Sequence, residues 1–256
     1  MAALDRLNPV ARLAFAGLLA APVLITLDWV SALSMLTLEV VALRLVGVRL
    51  RQMARRLVPV TVIAAIAALS MALYGRPGGL VFASWWLIEI SQRSLLMALA
   101  VFWRILALAL AAVMLLGQLD PTLMADGLAQ RAHLPARFVL GTLAGVRMLG
   151  LLSNDWRALR LARRARGLSA SGVKSYASAS FGLLVMAIRR GTKLATAMEV
   201  RGFSAQRAAH RTWARPSQFS AADGVGLAVT LAIDAASLLA ACWAGTFWLI
   251  WAGASS

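Results

Sequence analysis

Two arginine-glycine pairs are the residues of this sequence best suited to bind a partner. Arg166-Gly167 and Arg201-Gly202 each begin the pattern Arg-Gly-apolar-Ser-Ala, which therefore occurs twice, 35 positions apart. A guanidinium group suits bidentate contact with a carboxylate or with backbone carbonyls. A glycine cap after a basic last turn is common at the end of a surface helix. Because the pattern occurs twice, we interpret the pairs as more than ordinary helix caps. They indicate two equivalent receptor sites on a dimeric or pseudo-dimeric partner.

A second set of candidates consists of charged residues within apolar segments. A charge in lipid costs on the order of 3 kcal/mol or more unless it is paired or faces protein. Glu89, Arg93 and Arg104 are separated by four and eleven residues, which predicts one helical face and favours a structural ion pair over a transport role. Glu39 and Asp234 are further buried candidates, for which the sequence offers no partner.

The segments that must position these residues are typical of a membrane protein. The 256 residues are 61% hydrophobic and only 14% charged, against about 25% charged in a soluble domain. Because a helix needs about 20 apolar residues to cross the hydrocarbon core, the sequence predicts an all-α fold with about five spans, at 10–27, 30–48, 57–74, 80–117 and 224–251. A helix over all of 80–117 would be about 57 Å long, so this stretch is either one tilted or bent helix or a short interfacial piece joined to a span.

The basic residues predict the orientation of the chain. Of the net charge of +16, residues 118–222 hold +12, from 16 Lys and Arg against 4 Asp and Glu. Since basic loops are mostly cytoplasmic, we predict a cytoplasmic N-terminus and three parts: transmembrane helices over 1–117, a cytoplasmic region over 118–222 and a last transmembrane helix over 223–256. Two long helices are predicted in the cytoplasmic region, over 136–166 and 177–201, each capped by a glycine.

Other classes of protein fit the sequence less well. The single cysteine and two separated histidines predict no metal site. In the nearest approach to a phosphate loop, Val173 stands where the lysine is needed. Nucleic-acid binding is not expected, because orientation in the membrane already accounts for the basic region. The strongest competitor is a membrane-embedded enzyme that uses Glu39, Glu89 and Asp234, but no pair of them has a spacing that enforces proximity. We predict no catalytic residue.

The two arginine-glycine tags resemble those of the T subunit of energy-coupling factor (ECF) transporters, the EcfT/CbiQ family. Members carry two Ala-Arg-Gly-like motifs, the second commonly preceded by Ala-Met-Glu. Here the first motif is Ala165-Arg166-Gly167, and the second is Ala197-Met198-Glu199-Val200-Arg201-Gly202-Phe203, with Val200 in place of the usual alanine. The resemblance spans nearly the whole chain, since it extends to Leu7-Asn8-Pro9, Asp120-Pro121, Leu134-Pro135 and Asp155.

The resemblance implies a transporter subunit that performs no chemistry and binds no cofactor directly. ATP would be used by its partners, two ATPase subunits or one fused pair, while a substrate-binding membrane protein (S component) would take up a vitamin or a transition-metal ion. The protein would lie in a bacterial or archaeal cell membrane. Its two long cytoplasmic helices would be coupling helices that dock on the ATPases through Ala165, Arg166, Gly167, Val200, Arg201 and Gly202, supported by Asp155 and Glu199.

Overall fold

The computed structural model describes residues 7–26, 28–75, 78, 81–85, 88–117, 119–167, 172–203, 213 and 215–245. These residues form eight helices and one short antiparallel hairpin: α1 (Pro9–Ile25), α2 (Trp29–Leu45), α3 (Leu50–Tyr74), β1 (Val81–Trp85), β2 (Ile88–Ser91), α4 (Gln92–Leu115), α5 (Pro121–Gln130), α6 (Ala136–Ala165), α7 (Val173–Val200) and α8 (Ala221–Trp243). The prediction of an all-α, polytopic membrane protein is confirmed, and the hairpin is an addition to it.

The helices belong to two compact units. Unit one consists of Met1–Leu119 and Gln218–Ser256 and holds α1 to α4, the hairpin and α8, whereas unit two consists of Asp120–Ser217 and holds α5, α6 and α7. The predicted division at 117 and 222 concerned the side of the membrane on which each part lies. That placement stays a prediction.

Four described helices are long and apolar enough to cross a membrane: α3, α4, α6 and α8. Helix α1 is apolar but shorter, with 17 residues, and α2 has the same length. At 1.5 Å per residue, α1 and α2 each measure about 26 Å, close to the roughly 30 Å of the hydrocarbon core. Helix α6 is a candidate span because its first half is apolar, whereas its last turns are rich in arginine.

The core of unit one forms around α4. This helix packs against α1, α2 and α3, and α8 packs against α1 and α2. Leu110 and Met114 of α4 lie in one buried cluster with Phe15 and Met35. Close packing of α8 on α1 depends on Gly226, because a Cβ atom there would lie 2.7 Å from Cε2 of Phe15.

Residues 80–117 do not form one long helix, because helix α4 begins only at Gln92. Of the two alternatives, a short piece joined to a span is observed, and this piece is the β1–β2 hairpin. The predicted position of the piece at the membrane interface stays a prediction. Helix α4 begins at Gln92 because Ser91 and Ser94 cap it reciprocally: the Ser94 amide donates to Ser91 Oγ over 3.2 Å and the Ser91 amide donates to Ser94 Oγ over 3.0 Å. Two serines three residues apart therefore stop the helix where apolar content alone would extend it.

The expectation that Glu89 shares a helical face with Arg93 and Arg104 is wrong. Glu89 lies in β2, opposite Ser84, so helical spacing does not relate it to α4. Arg93 is exposed in the first turn of α4. Arg104 donates hydrogen bonds to the carbonyls of Val23 and Thr26. It therefore satisfies carbonyl groups at the end of α1, which have no partner within that helix.

A polar cluster at Asn8 and Asp223 lies between the beginnings of α1 and α8 in unit one. The Asn8 amide donates to Asp223 Oδ1 over 2.7 Å, and the Ser220 amide donates to Asp223 Oδ2 over 2.7 Å. Asn8 also donates from Nδ2 to the carbonyl of Gln218 over 3.1 Å. Both Asn8 and Asp223 are buried. The cluster ties the start of α1 to the start of α8.

Candidate docking site

The two arginine tags end their helices with the same backbone geometry. Arg166 caps α6 with φ −87° and ψ 8°, and Arg201 caps α7 with φ −78° and ψ 8°. The following glycines have positive φ, +70° at Gly167 and +79° at Gly202. Side chains with a Cβ rarely adopt this conformation, so glycine is the residue that lets each helix stop directly after the arginine.

At both helix ends the glycine amide donates a hydrogen bond to the carbonyl three residues before it. The Gly202 amide donates to the Glu199 carbonyl over 2.9 Å and the Phe203 amide donates to the Met198 carbonyl over 3.0 Å, the pair of bonds that defines a Schellman motif. At the other end, the Gly167 amide donates to the Arg164 carbonyl over 3.0 Å. The predicted glycine caps are confirmed. The remainder of each tag, at 168–170 and 204–205, lies outside the described residues.

Both arginine side chains are available to a partner. Arg166 and Arg201 are exposed, as are Ala165 and Val200, and Val200 exposes 83% of its surface. Within the described parts of the chain, neither guanidinium group forms a hydrogen bond or an ion pair. By contrast, the nearby Arg163 donates to Ser178 Oγ over 3.2 Å and to Ser175 Oγ over 3.4 Å. Of the arginines at 163 and 166, the second is therefore the one left free to dock.

Helices α6 and α7 run antiparallel, which places the two tags at opposite ends of the pair. Near the end of α6, Arg163 contacts Ser175 at the beginning of α7, whereas Met148, in the middle of α6, lies 3.6 Å from where a Cβ of Gly191 would be. The 28 residues of α7 span about 42 Å. Since the end of α6 contacts the beginning of α7 through Arg163 and Ser175, and Arg201 follows the last residue of α7, the two tags are separated by roughly the length of this helix.

Asp155, predicted to support the coupling helices, joins α6 to α7. Its Oδ2 lies 2.7 Å from Nη1 of Arg190, and the two side chains are 19% and 40% exposed. The ring of Trp156, the next residue of α6, is stacked on that of Tyr176 near the beginning of α7, with centroids 6.4 Å apart. Glu199, the other predicted support, is exposed, and its backbone carbonyl receives the Gly202 amide. A role for its carboxylate stays a prediction.

The ion pair between Asp155 and Arg190 is expected to contribute a measurable coupling energy. A double-mutant cycle with Asp155→Asn and Arg190→Gln should give about 0.5–1 kcal/mol, because the pair is only partly shielded from solvent. The measurement is the free energy of unfolding of each variant in detergent. As a control, the cycle of Asp155→Asn with Arg189→Gln, an exposed neighbour of Arg190, should give a coupling close to zero. Equal coupling in both cycles would contradict the assignment.

One face of α7 exposes a stripe of large apolar side chains. Phe181, Leu184 and Ile188 are 68%, 55% and 60% exposed, and their spacing of three and four residues places them on one side of the helix. An apolar surface of this kind marks contact with a membrane or with another protein. The stripe lies between the two arginine tags along α7.

Sequence reasoning missed one pair of residues in unit one. Glu39 and Asp234, for which no partner was foreseen, lie on α2 and α8, which pack against each other, and each has a buried carboxylate oxygen without a hydrogen-bond partner among the described residues. The signal was absent from the sequence because the two residues are 195 positions apart and only the fold shows that α2 packs on α8.

Comparison with models of protein families gives a match over most of the chain. The family model described as CbiQ, cobalt transport protein, matches residues 2–211, which include both tags and all of α1 to α7. No curated protein matches the chain.

Proposed function

Because the chain belongs to the CbiQ family of cobalt transport proteins, we propose that it is the coupling subunit of an ECF-type importer. In this role it transmits ATP-driven motion from two ATPase subunits, or one fused pair, to a substrate-binding membrane subunit. The observation that carries the proposal is the pair of matching helix ends, each with a free arginine, at opposite ends of α6 and α7. One chain thus offers two equivalent contacts to a two-fold symmetric partner.

The geometry suits a lever between two moving bodies. Two contacts roughly one helix length apart can each engage one ATPase, so closure of the ATPase pair would move α6 and α7 relative to each other. The contacts of Asp155 with Arg190 and of Trp156 with Tyr176 make the helix pair a connected body. Displacement at either tag would therefore move α6 and α7 as packed elements instead of only bending a loop.

The substrate-binding membrane subunit is proposed to contact the apolar stripe of α7. Phe181, Leu184 and Ile188 offer an apolar surface to a membrane protein, whereas the arginine tags suit the polar grooves of an ATPase. On this proposal the chain itself performs no catalysis and binds no cofactor. Whether a vitamin or a transition-metal ion enters is set by the substrate-binding subunit, and α5 to α7 face the cytoplasm of a bacterium or archaeon.

The composition of the purified assembly tests this proposal. Native mass spectrometry of the complex, extracted from its own cells in mild detergent, should show one copy of this chain with two ATPase domains and one small membrane protein. The ratio follows from two docking arginines per chain. A complex that contains one ATPase domain for each copy of this chain, or none, would contradict it.

A further inference from the structure

Helix α3 packs one face against its neighbours in unit one and leaves the opposite face exposed. Met53 and Ala64 are buried on the packed side, where α3 contacts α4. On the opposite side, exposed residues follow one another at spacings of three and four, which places them in one line along the helix. We call this line the outer face of α3, and it consists of Arg51, Arg55, Val58, Val62, Ile66 and Leu69.

The outer face has a basic beginning and an apolar remainder. Its two arginines lie in the first two turns of α3, while the four apolar side chains after them are 57–63% exposed. Because α3 is a candidate span whose continuous apolar stretch begins at Leu57, the arginines lie at the level of the lipid headgroups. Val58 and Leu69 are about 17 Å apart along the helix, close to the roughly 15 Å depth of one leaflet of the hydrocarbon core.

The two arginines of the outer face have no counter-charge in the described chain. Arg51 and Arg55 are exposed, and neither forms a hydrogen bond or an ion pair with a described residue. The first turn of α3 contains no acidic residue, and the sequence has no Asp or Glu from position 40 to 88. Like charges four residues apart on a helix repel each other. An anion between them would offset this repulsion and accept charge-assisted hydrogen bonds from both guanidinium groups.

The order of the groups along the outer face indicates which anion fits. A soluble phosphate matches only the two arginines and makes no use of the apolar line below them. An anionic phospholipid matches both parts, because its phosphate lies at the membrane surface and its acyl chains extend from there through one leaflet. Basic segments next to a membrane span attract such lipids through the charge of their headgroups.

We propose that the outer face of α3 binds one anionic phospholipid, with the headgroup phosphate between Arg51 and Arg55. An acyl chain of this lipid lies along Val58, Val62 and Ile66. The site goes beyond the proposed coupling function, since it uses neither arginine tag and requires no protein partner. It makes a lipid of defined charge a specific ligand of unit one.

Native mass spectrometry of the purified full-length chain tests the site. The chain in detergent is mixed with equal amounts of dioleoylphosphatidylglycerol and dioleoylphosphatidylcholine, which have the same acyl chains and differ in headgroup charge. The measured quantity is the ratio of chains that carry one molecule of each lipid. The unmodified chain should bind the phosphatidylglycerol about tenfold more tightly, which corresponds to about 1.4 kcal/mol.

Variants locate the preference for the anionic lipid. Arg51→Gln with Arg55→Gln should lower the ratio about fivefold, whereas Arg51→Lys with Arg55→Lys should retain most of it because lysine keeps the charge. The control is Arg157→Gln with Arg189→Gln, which removes the same charge from exposed positions of unit two and should change the ratio by less than about twofold.

Three results would overturn the proposal. An equal fall in the two glutamine double variants would show a general effect of net charge. An unchanged ratio in Arg51→Gln with Arg55→Gln would show that the anionic lipid binds elsewhere and that the outer face serves another partner. Displacement of the phosphatidylglycerol by glycerol 3-phosphate, which has the phosphate without acyl chains, would show a site for a soluble anion. The proposed docking of the ATPases at Arg166 and Arg201 is tested separately.

Discussion

Replacement of both Arg166 and Arg201 by glutamate is expected to abolish co-purification of the ATPases while the chain remains in the membrane. Both side chains are exposed at helix ends and lack partners in the described chain, so the change does not disturb the fold. Loss of one partner of an interfacial charge pair costs about 2 kcal/mol or more, roughly thirtyfold in affinity, at each of the two contacts. The measurement is the ATPase recovered with the affinity-tagged chain from detergent-solubilised membranes, together with substrate uptake by the cells.

A second double variant separates docking from net charge. Arg157 and Arg189 are also exposed, one on α6 and one on α7, but both lie within the helices and not at their ends. Arg157→Glu with Arg189→Glu changes the charge by the same amount and should retain most of the ATPase. Arg166→Lys with Arg201→Lys should give an intermediate result, because lysine keeps the charge but cannot form the bidentate contact.

Single variants report whether the two sites act together. Because the ATPase pair is held at two points, Arg166→Glu alone should weaken recovery while Arg201 still holds one side. If the double variant retains the ATPase and still supports uptake, the tags are not docking sites. If the control pair at Arg157 and Arg189 releases the ATPase equally, the contact depends on general positive charge and not on the helix ends.

The features predicted correctly from sequence are those that depend on residues close together in the chain. Gly167 and Gly202 mark helix ends because a positive φ after the last turn favours glycine, and both were found there. The long helices were visible because apolar residues recur with helical spacing over many turns. Antiparallel packing of α6 on α7 then fixes the tags at opposite ends, which is a consequence of the short connection between the helices.

The features that were missed depend on contacts between distant residues. The β1–β2 hairpin occupies an apolar stretch that also suits a helix, and its Ser91–Ser94 cap was not recognised, so Glu89 was placed on the wrong kind of element. Arg104 is bound by carbonyls of α1, which no pattern of side chains reveals. The burial of Glu39 and of Asp234 Oδ1 likewise follows from packing within unit one, in which α2 contacts α8.

The Asn8–Asp223 cluster is a further contact of this kind, and its removal is expected to destabilise unit one strongly. Asp223 accepts from the amides of Asn8 and Ser220 and from Ser220 Oγ, and it is 5% exposed. Asp223→Ala leaves two amides without their acceptor at a buried site, which costs about 3 kcal/mol. The thermal unfolding midpoint in detergent should fall by about 6–12 °C.

Two further variants show whether this loss arises from the link between α1 and α8 or from helix capping alone. Asp120 caps α5 by accepting from the Thr122 amide over 2.8 Å, but it is exposed, so Asp120→Ala should lower the midpoint much less. Asp223→Asn keeps one acceptor oxygen and should lie between the two. A drop for Asp223→Ala no larger than that for Asp120→Ala would mean that the bond across 215 positions does not hold the beginnings of α1 and α8 together.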